Sequence, residues 1–328
     1  MIEGHGDDLY RYDNITMNFS SNIYNGTDLS ELYAFLSTRL DAIRSYPEPS
    51  AASLERMIAA DCGISPDEVL VTSGAVDAIY LIAQTYRSEG TCHVVQPTFR
   101  EYEDACRVFG YQERSDGALC WLCNPNNPTG TVMPAGEVMS MAARHRLLVV
   151  DQSYEDYTMA PLLSAAEAVN GGNIIVLHSM TKRYAVPGLR LGYITASAAI
   201  IARLRGQYRP WATGALSLEA GKWLVERGKT AIPDLNDYLV ETQRLRLALD
   251  GLDGIDTMET STNFFLCTLR EATASELKEY LAREHGILIR DASNFTGLTP
   301  HYLRIATQSP TENDALVAAI RFFLNKRL

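Results

Sequence analysis

The chain lacks any apolar run approaching the roughly 18 residues of a membrane-spanning helix. Its opening residues, MIEGHGDDLYRY, lack the basic-then-apolar order of a secretory signal. A cytoplasmic protein with no membrane partner is therefore expected. Clustered cations are missing too: 29 Lys and Arg face 40 Asp and Glu, giving a formal charge of -11, and no Lys/Arg-rich run breaks the pattern. Nucleic acids and anionic membranes are bound mainly through such clusters, so neither is expected as a partner. Any anionic ligand must instead be gripped locally. There is no internal repeat, low-complexity tract or linker-like stretch. The first strand-to-helix turn, TSGAVDAI, does not contain G-x-G-x-x-G, which removes the main support for a nicotinamide dehydrogenase. The six cysteines are scattered and read as reduced thiols. Cys120 and Cys123 form a C-x-x-C, but within the apolar run ALCWLC a spacing of three sends strand side chains to opposite faces, so buried thiols rather than a metal site are expected.

What the 328 residues do contain is an alternation. From EVLVTS onward, short β-rich runs (CHVVQ, ALCWLC, LLVVD, NIIVLHS, LGYITA) are separated by segments of helical length. This predicts an α/β architecture with a mostly parallel sheet covered by helices on both faces, with the chemistry at the strand ends. After residue 210, long helical patterns and the strands FFLCTL and YLRIA predict a smaller α+β domain. The expected division is a large domain over 39–235 and a small domain over 236–328, joined by residues 1–38 as an arm crossing the cleft.

Four segments carry chemical information. In SMTKRYAVPGLRLGY, Lys182 follows a strand and two hydroxyls, Ser179 and Thr181, and precedes Arg190 by eight residues. A Schiff-base lysine needs a fixed position, and hydroxyls with a guanidinium suit a phosphate dianion. CNPNNPTG, over 123–130, is too dense in Asn and Pro for a helix and reads as a rigid loop. LLVVDQSYEDY puts Asp151 at a strand's end, where a buried carboxylate requires a cation or donor such as a protonated pyridine nitrogen. TSGAVDAI leads from a strand into a helix, so the backbone N–H groups near Gly74, Ala75 and Val76 are placed to bind an anion. Alone, each has a plainer reading: an ordinary turn, a helix cap, a glycine turn.

In this order the segments resemble the fold-type I pyridoxal-phosphate (PLP) enzymes of the class I/II aminotransferase family, over nearly the whole chain. The resemblance implies PLP held covalently by Lys182, with Asp151 on the pyridine nitrogen and Asn127 and Tyr154 on the phenolic oxygen. It further implies Phe99 stacked on the ring, and Ser179, Thr181, Arg190 and the backbone of Gly74 to Val76 around the phosphate. Tyr46 matches a tyrosine that the family gives to the neighbouring subunit's cofactor, which implies a homodimer. Two segments depart from the family pattern. Asp151-Gln152-Ser153 replaces Asp-Glu-Ala, and Asn22-Ile23-Tyr24-Asn25-Gly26 has no proline where the family has Asn-Pro-Gly.

Arg290 and Arg304 match two substrate-binding arginines of the histidinol-phosphate aminotransferase branch, and two cations suit a substrate with two anionic groups. GHG near the start, FSSNI, RPWATGALS and SNFTGLTPHYLRIA look most like threonine-phosphate decarboxylases, which serve the aminopropanol branch of cobalamin synthesis. His5 is then a candidate phosphate donor, with Asn22 and Ile23 beside the substrate and Trp211 equally readable as a core residue. A histidinol-phosphate-type aminotransferase is the alternative. A non-catalytic ligand sensor is less favoured, since no DNA-binding segment accompanies the domain.

Overall fold

A computed structural model describes residues 8–228, 230–232 and 234–326. His5 and the GHG segment lie outside the described residues. The strands are β1 (Met17–Asn18), β2 (Val69–Thr72), β3 (Thr91–Val94), β4 (Gln112–Glu113), β5 (Leu119–Cys123), β6 (Leu147–Asp151) and β7 (Ile174–His178), followed by β8 (Gly192–Ala196), β9 (Ile255–Thr257), β10 (Phe264–Leu269), β11 (Ile287–Leu288), β12 (Arg290–Asp291) and β13 (Tyr302–Ala306).

Seven strands form the main sheet in the order β2-β8-β7-β6-β5-β3-β4. All pairings are parallel except those of β8, which runs antiparallel to both β2 and β7. β5 to β8 are buried along their whole length because helices cover both faces. Their residues divide between two cores by strict alternation. Leu119, Trp121, Leu147, Val149, Ile175 and Leu177 enter one cluster, while Cys120, Leu122, Leu148, Val150, Ile174 and Val176 enter the other. Cys123 and Cys120 thus sit on opposite faces, both as buried free thiols. No group of metal-ligating side chains occurs among the described residues.

The smaller sheet has the order β12-β13-β10-β9, antiparallel throughout. It packs with the helices Leu235–Asp250, Ala274–His285 and Pro310–Asn325 around Phe265, Leu277, Ile305 and Ile320. The last two of these helices begin with reciprocal capping boxes, Thr273 with Glu276 and Ser309 with Glu312, each satisfying two backbone donors of the first turn. The arm, assigned whole to the smaller lobe from sequence, is shared between the two. β1 pairs with β11 and Phe19 enters the small core, whereas the helix Ser30–Ser37 sends Leu32 into a cluster with Leu54 and Leu218 of the larger lobe. Between these attachments, Ser20 to Ile23 cross the cleft. No helix among the described residues is long and apolar enough to cross a membrane.

Candidate active site

Five strand ends of the large sheet deliver the predicted side chains to one place. Gly74 lies two residues after β2, Phe99 five after β3, Asn127 four after β5 and Lys182 four after β7, while Asp151 is the last residue of β6. Parallel strands end on the same edge, so a crevice forms there. It is a cavity of about 360 Å³, lined by Ala75, Val76, Phe99, Asn127, Asp151, Tyr154, Ser179, Thr181, Lys182 and Arg190, with Ile23 from the arm and Arg290 and Arg304 from the smaller lobe.

Asp151 forms the floor and is only 4% exposed. Its Oδ1 accepts from the backbone N–H of Ser153 at 2.9 Å and its Oδ2 from the hydroxyl of Tyr102 at 2.7 Å. Burial raises its pKa above the usual carboxylate value, while these donors act in the opposite direction. Lys182, in the short helix Met180–Arg183, donates from Nζ to the carbonyl of Ser21 at 2.8 Å and lies 5.7 Å from the centre of the Tyr154 ring. Tyr154 is buried, its phenol pushed up to about 12 by burial, and its hydroxyl accepts from Asn22 Nδ2 at 3.4 Å. Asn22 therefore touches Tyr154 and is absent from the cavity wall. Its Oδ1 is buried with no hydrogen-bond partner.

At the other end of the crevice, Gly74 precedes the helix Ala75–Thr85 with φ +88°. A Cβ there would stand 2.6 Å from Arg190 Nη2, so glycine is what lets the guanidinium lie over the turn. No side chain caps this helix, leaving first-turn N–H groups for an anion. Buried Ser179 and Thr181 complete the polar rim.

The two arginines come from adjacent strands. Arg290 and Arg304 are register partners across β12 and β13, which places both side chains on one face of the sheet. Arg304 donates to Asn127 Oδ1 and to the carbonyl of Ser20, and its Nε is buried with no partner. Because a guanidinium only donates, the Asn127 amide must turn its oxygen to Arg304, leaving Nδ2 for the cavity. Arg290 donates to Asn294 Oδ1 at 2.8 Å. Burial lowers the pKa of both, that of Arg304 to about 10, with the like charge of Arg290 adding to the effect.

Tyr46, like Asn22, does not line this cavity. Tyr46 is 85% exposed, and its ring lies 5.4 Å from that of Trp211. Trp211 is not a core residue either, being half exposed with φ +55°. Gln152, where the family has glutamate, points away and donates to the carbonyl of Leu163 at 3.0 Å, a bond that an ionised glutamate could not make. The sequence reading missed Tyr102 and the carbonyls of Ser20 and Ser21. Tyr102 follows Phe99 by three residues at a helix start, a spacing that does hint at a shared side. Backbone acceptors leave no trace in a sequence.

Comparison with known proteins places this geometry. Residues 111–320 match the model of the family described as aminotransferase class I and II. A solved structure of L-threonine-O-3-phosphate decarboxylase from Porphyromonas gingivalis is 35% identical, with a TM-score of 0.91 over 94% of this chain and 99% of that one. The threonine-phosphate decarboxylase of Salmonella typhimurium is 28% identical over 93% of this chain and 90% of its own length. A histidinol-phosphate aminotransferase of Caldanaerobacter subterraneus is also 28% identical, over 86% of this chain and 85% of its own.

Proposed function

The chain belongs to the class I and II aminotransferase family and is a PLP-dependent decarboxylase or aminotransferase of the threonine-phosphate decarboxylase and histidinol-phosphate aminotransferase group; from that premise we propose that it holds PLP on Lys182 and decarboxylates L-threonine-O-3-phosphate. The cavity fits the cofactor on several independent counts. A buried carboxylate stands at the floor, a lysine amine lines the same cavity, with an aromatic side chain at Phe99 and an uncapped helix start under a guanidinium where a Cβ would fill the space.

The observation that carries the substrate reading is the pairing of Arg290 with Arg304 on neighbouring strands, which sets two cations side by side in the wall of this cavity. A substrate bearing both a phosphate and a carboxylate complements them. Likeness supports decarboxylation over transamination: the relative matched at 35% identity over nearly its whole length is an L-threonine-O-3-phosphate decarboxylase.

In this reading Asp151 holds the pyridine nitrogen, and Asn127 Nδ2 and the Tyr154 hydroxyl hold the phenolic oxygen. Phe99 covers one ring face. Ser179, Thr181, Arg190 and the backbone of Gly74 to Val76 grip the cofactor phosphate. When bound, PLP supplies an electron sink for whichever Cα bond stands perpendicular to its ring. The chain's own contribution is to choose that bond. Arg290 and Arg304 would anchor the two anionic groups of the substrate and so select which Cα substituent is lost, the carboxylate as carbon dioxide, and Lys182 would be the group placed to return a proton to Cα. His5 is proposed as a further phosphate donor. A second copy of the chain is proposed to cover Tyr46, together with exposed Leu40 and Ile43, and the Tyr46 hydroxyl would then serve the partner's cofactor phosphate.

Incubation with L-threonine phosphate is expected to release carbon dioxide and aminopropanol phosphate, and Lys182→Ala is expected to lose both the yellow colour and borohydride labelling at this position. Transfer of the amino group to 2-oxoglutarate without carbon dioxide would overturn the decarboxylase reading in favour of a histidinol-phosphate-type aminotransferase, the activity of the Caldanaerobacter relative.

A further inference from the structure

Among the described residues two carboxylates line the cavity, Glu101 and Asp151, and Asp151, at its floor, meets several groups. Ser153 N–H donates to one oxygen and the Tyr102 hydroxyl to the other. Cys123 is its cross-strand partner on β5, and Tyr154 and His178 stand nearby on the following loop and on β7. The Tyr102 hydroxyl is the donor to Oδ2, with the Ser153 side chain a further donor to the carboxylate, and the Tyr102 ring is held on two sides. The ring is 1% exposed, stacked on Trp121 at 5.4 Å between centroids and 14° between planes, and met edge-on by Phe99 at 5.8 Å. A ring packed on two sides holds its hydroxyl toward the carboxylate. Burial, and then the charge of Asp151, keep this phenol protonated, so it remains a donor throughout the working pH range.

We propose that Tyr102 is a positioning residue, its hydroxyl fixing the Asp151 carboxylate in charge and direction for the ring nitrogen of the cofactor. The inference rests on the PLP reading above. A carboxylate only 4% exposed has little water to solvate it, so each donor it receives offsets part of the desolvation cost. Tyr102 acts through Asp151, while Phe99, three residues earlier on the same turn, faces the ring. One short segment therefore both covers the ring and sets its electronics.

The test is a comparison of two ligands by one folded protein. Apoenzyme is titrated with PLP and with its 1-deaza analogue, in which the ring nitrogen is replaced by carbon, and the ratio of the two dissociation constants is read by absorbance. If Tyr102 acts through Asp151 on that nitrogen, the preference for PLP falls about tenfold in Tyr102→Phe, the size expected for losing a hydrogen bond to a charged group, and the absolute affinity for the analogue barely moves. A purely structural role would weaken both ligands alike and leave the ratio intact, which overturns the proposal. Should Tyr102→Phe fail to fold, difluorotyrosine at the same position preserves the shape and acidifies the hydroxyl. The ratio is then expected to change with phenol acidity, and an unchanged ratio counts against the proposal. Borohydride labelling of the unmodified holoenzyme separates the two levels. Absence of label at Lys182 removes the cofactor reading itself, whereas normal labelling with an unaltered ratio removes only the role of Tyr102.

Discussion

Arg304 cannot be replaced by another cation without loss. Its guanidinium bridges Asn127 and the Ser20 carbonyl from a fully buried position and still has Nε in reserve. A lysine ammonium cannot span the same acceptors in a plane. Arg304→Lys is expected to raise KM for the phosphorylated substrate by about tenfold or more, visible in steady-state kinetics, because the Asn127 amide loses its orientation as well. A different residue contributes to the pH dependence of stability. Asp156 sits 3.6 Å from Arg183, yet burial and its neighbour Glu155 push its carboxyl up to about 6, with His178 and Asp61 also facing it. The folded state thus holds this proton more tightly than the unfolded chain, whose carboxyl titrates at about 3.8. The resulting stabilisation is complete below that lower value and disappears as pH rises through the folded one. Asp156→Asn is expected to flatten the decline in urea midpoint between these two values, measured by fluorescence across a pH series.

Among the elements, the turn from β2 into the helix Ala75–Thr85 is the most exacting. Gly74 combines φ +88° with a Cβ direction blocked by Arg190. Gly74→Ala is expected to cost about 1–3 kcal/mol in stability through backbone strain, and to weaken PLP binding by displacing the guanidinium. Thermal unfolding with and without cofactor separates the two effects, since a ligand-linked loss appears only in the holoenzyme. The short segment between β7 and β8 is equally informative. Thirteen residues join these strands and contain no helix longer than Met180–Arg183, and β8 returns antiparallel to β7, with Lys182 left at the open edge. That reversal was not foreseen from the apolar runs, since LGYITA reads the same in either direction. The alternation that named β5, β6 and β7 was legible because burial on both faces makes each an unbroken apolar run.

At the scale of the whole molecule, the cavity draws on both lobes and on the arm between them. Ser20 and Ser21 offer carbonyls to Arg304 and Lys182, so the arm's backbone ties a small-lobe cation to a large-lobe amine. Thr296 of the smaller lobe also donates to Glu103 of the larger at 3.0–3.1 Å, closing the same cleft from its rim. Leu40, Ile43 and Tyr46 are among the exposed large hydrophobic residues, and it is these that a second copy is proposed to cover. If the proposed dimer forms there, Ile43→Glu places a charge in it and is expected to shift the protein to monomer by light scattering. If Tyr46 serves the partner's cofactor phosphate, PLP affinity falls in the same variant. An unaltered mass would argue against that surface as the interface.

Local patterning in the chain was sufficient to expect the large sheet and to set Lys182, Asp151 and the Gly74 turn at strand ends, where the α/β layering gathers them without further instruction, whereas their roles toward a cofactor came only from the family resemblance. Only the tertiary structure decided that Asn22 serves Tyr154, that Gln152 turns to a backbone carbonyl, that Tyr102 holds Asp151, and that the arm is divided between lobes. Those outcomes depend on which groups meet across distances of tens to hundreds of residues. A donor finds its acceptor through packing geometry, and packing geometry has no local signature in the order of amino acids.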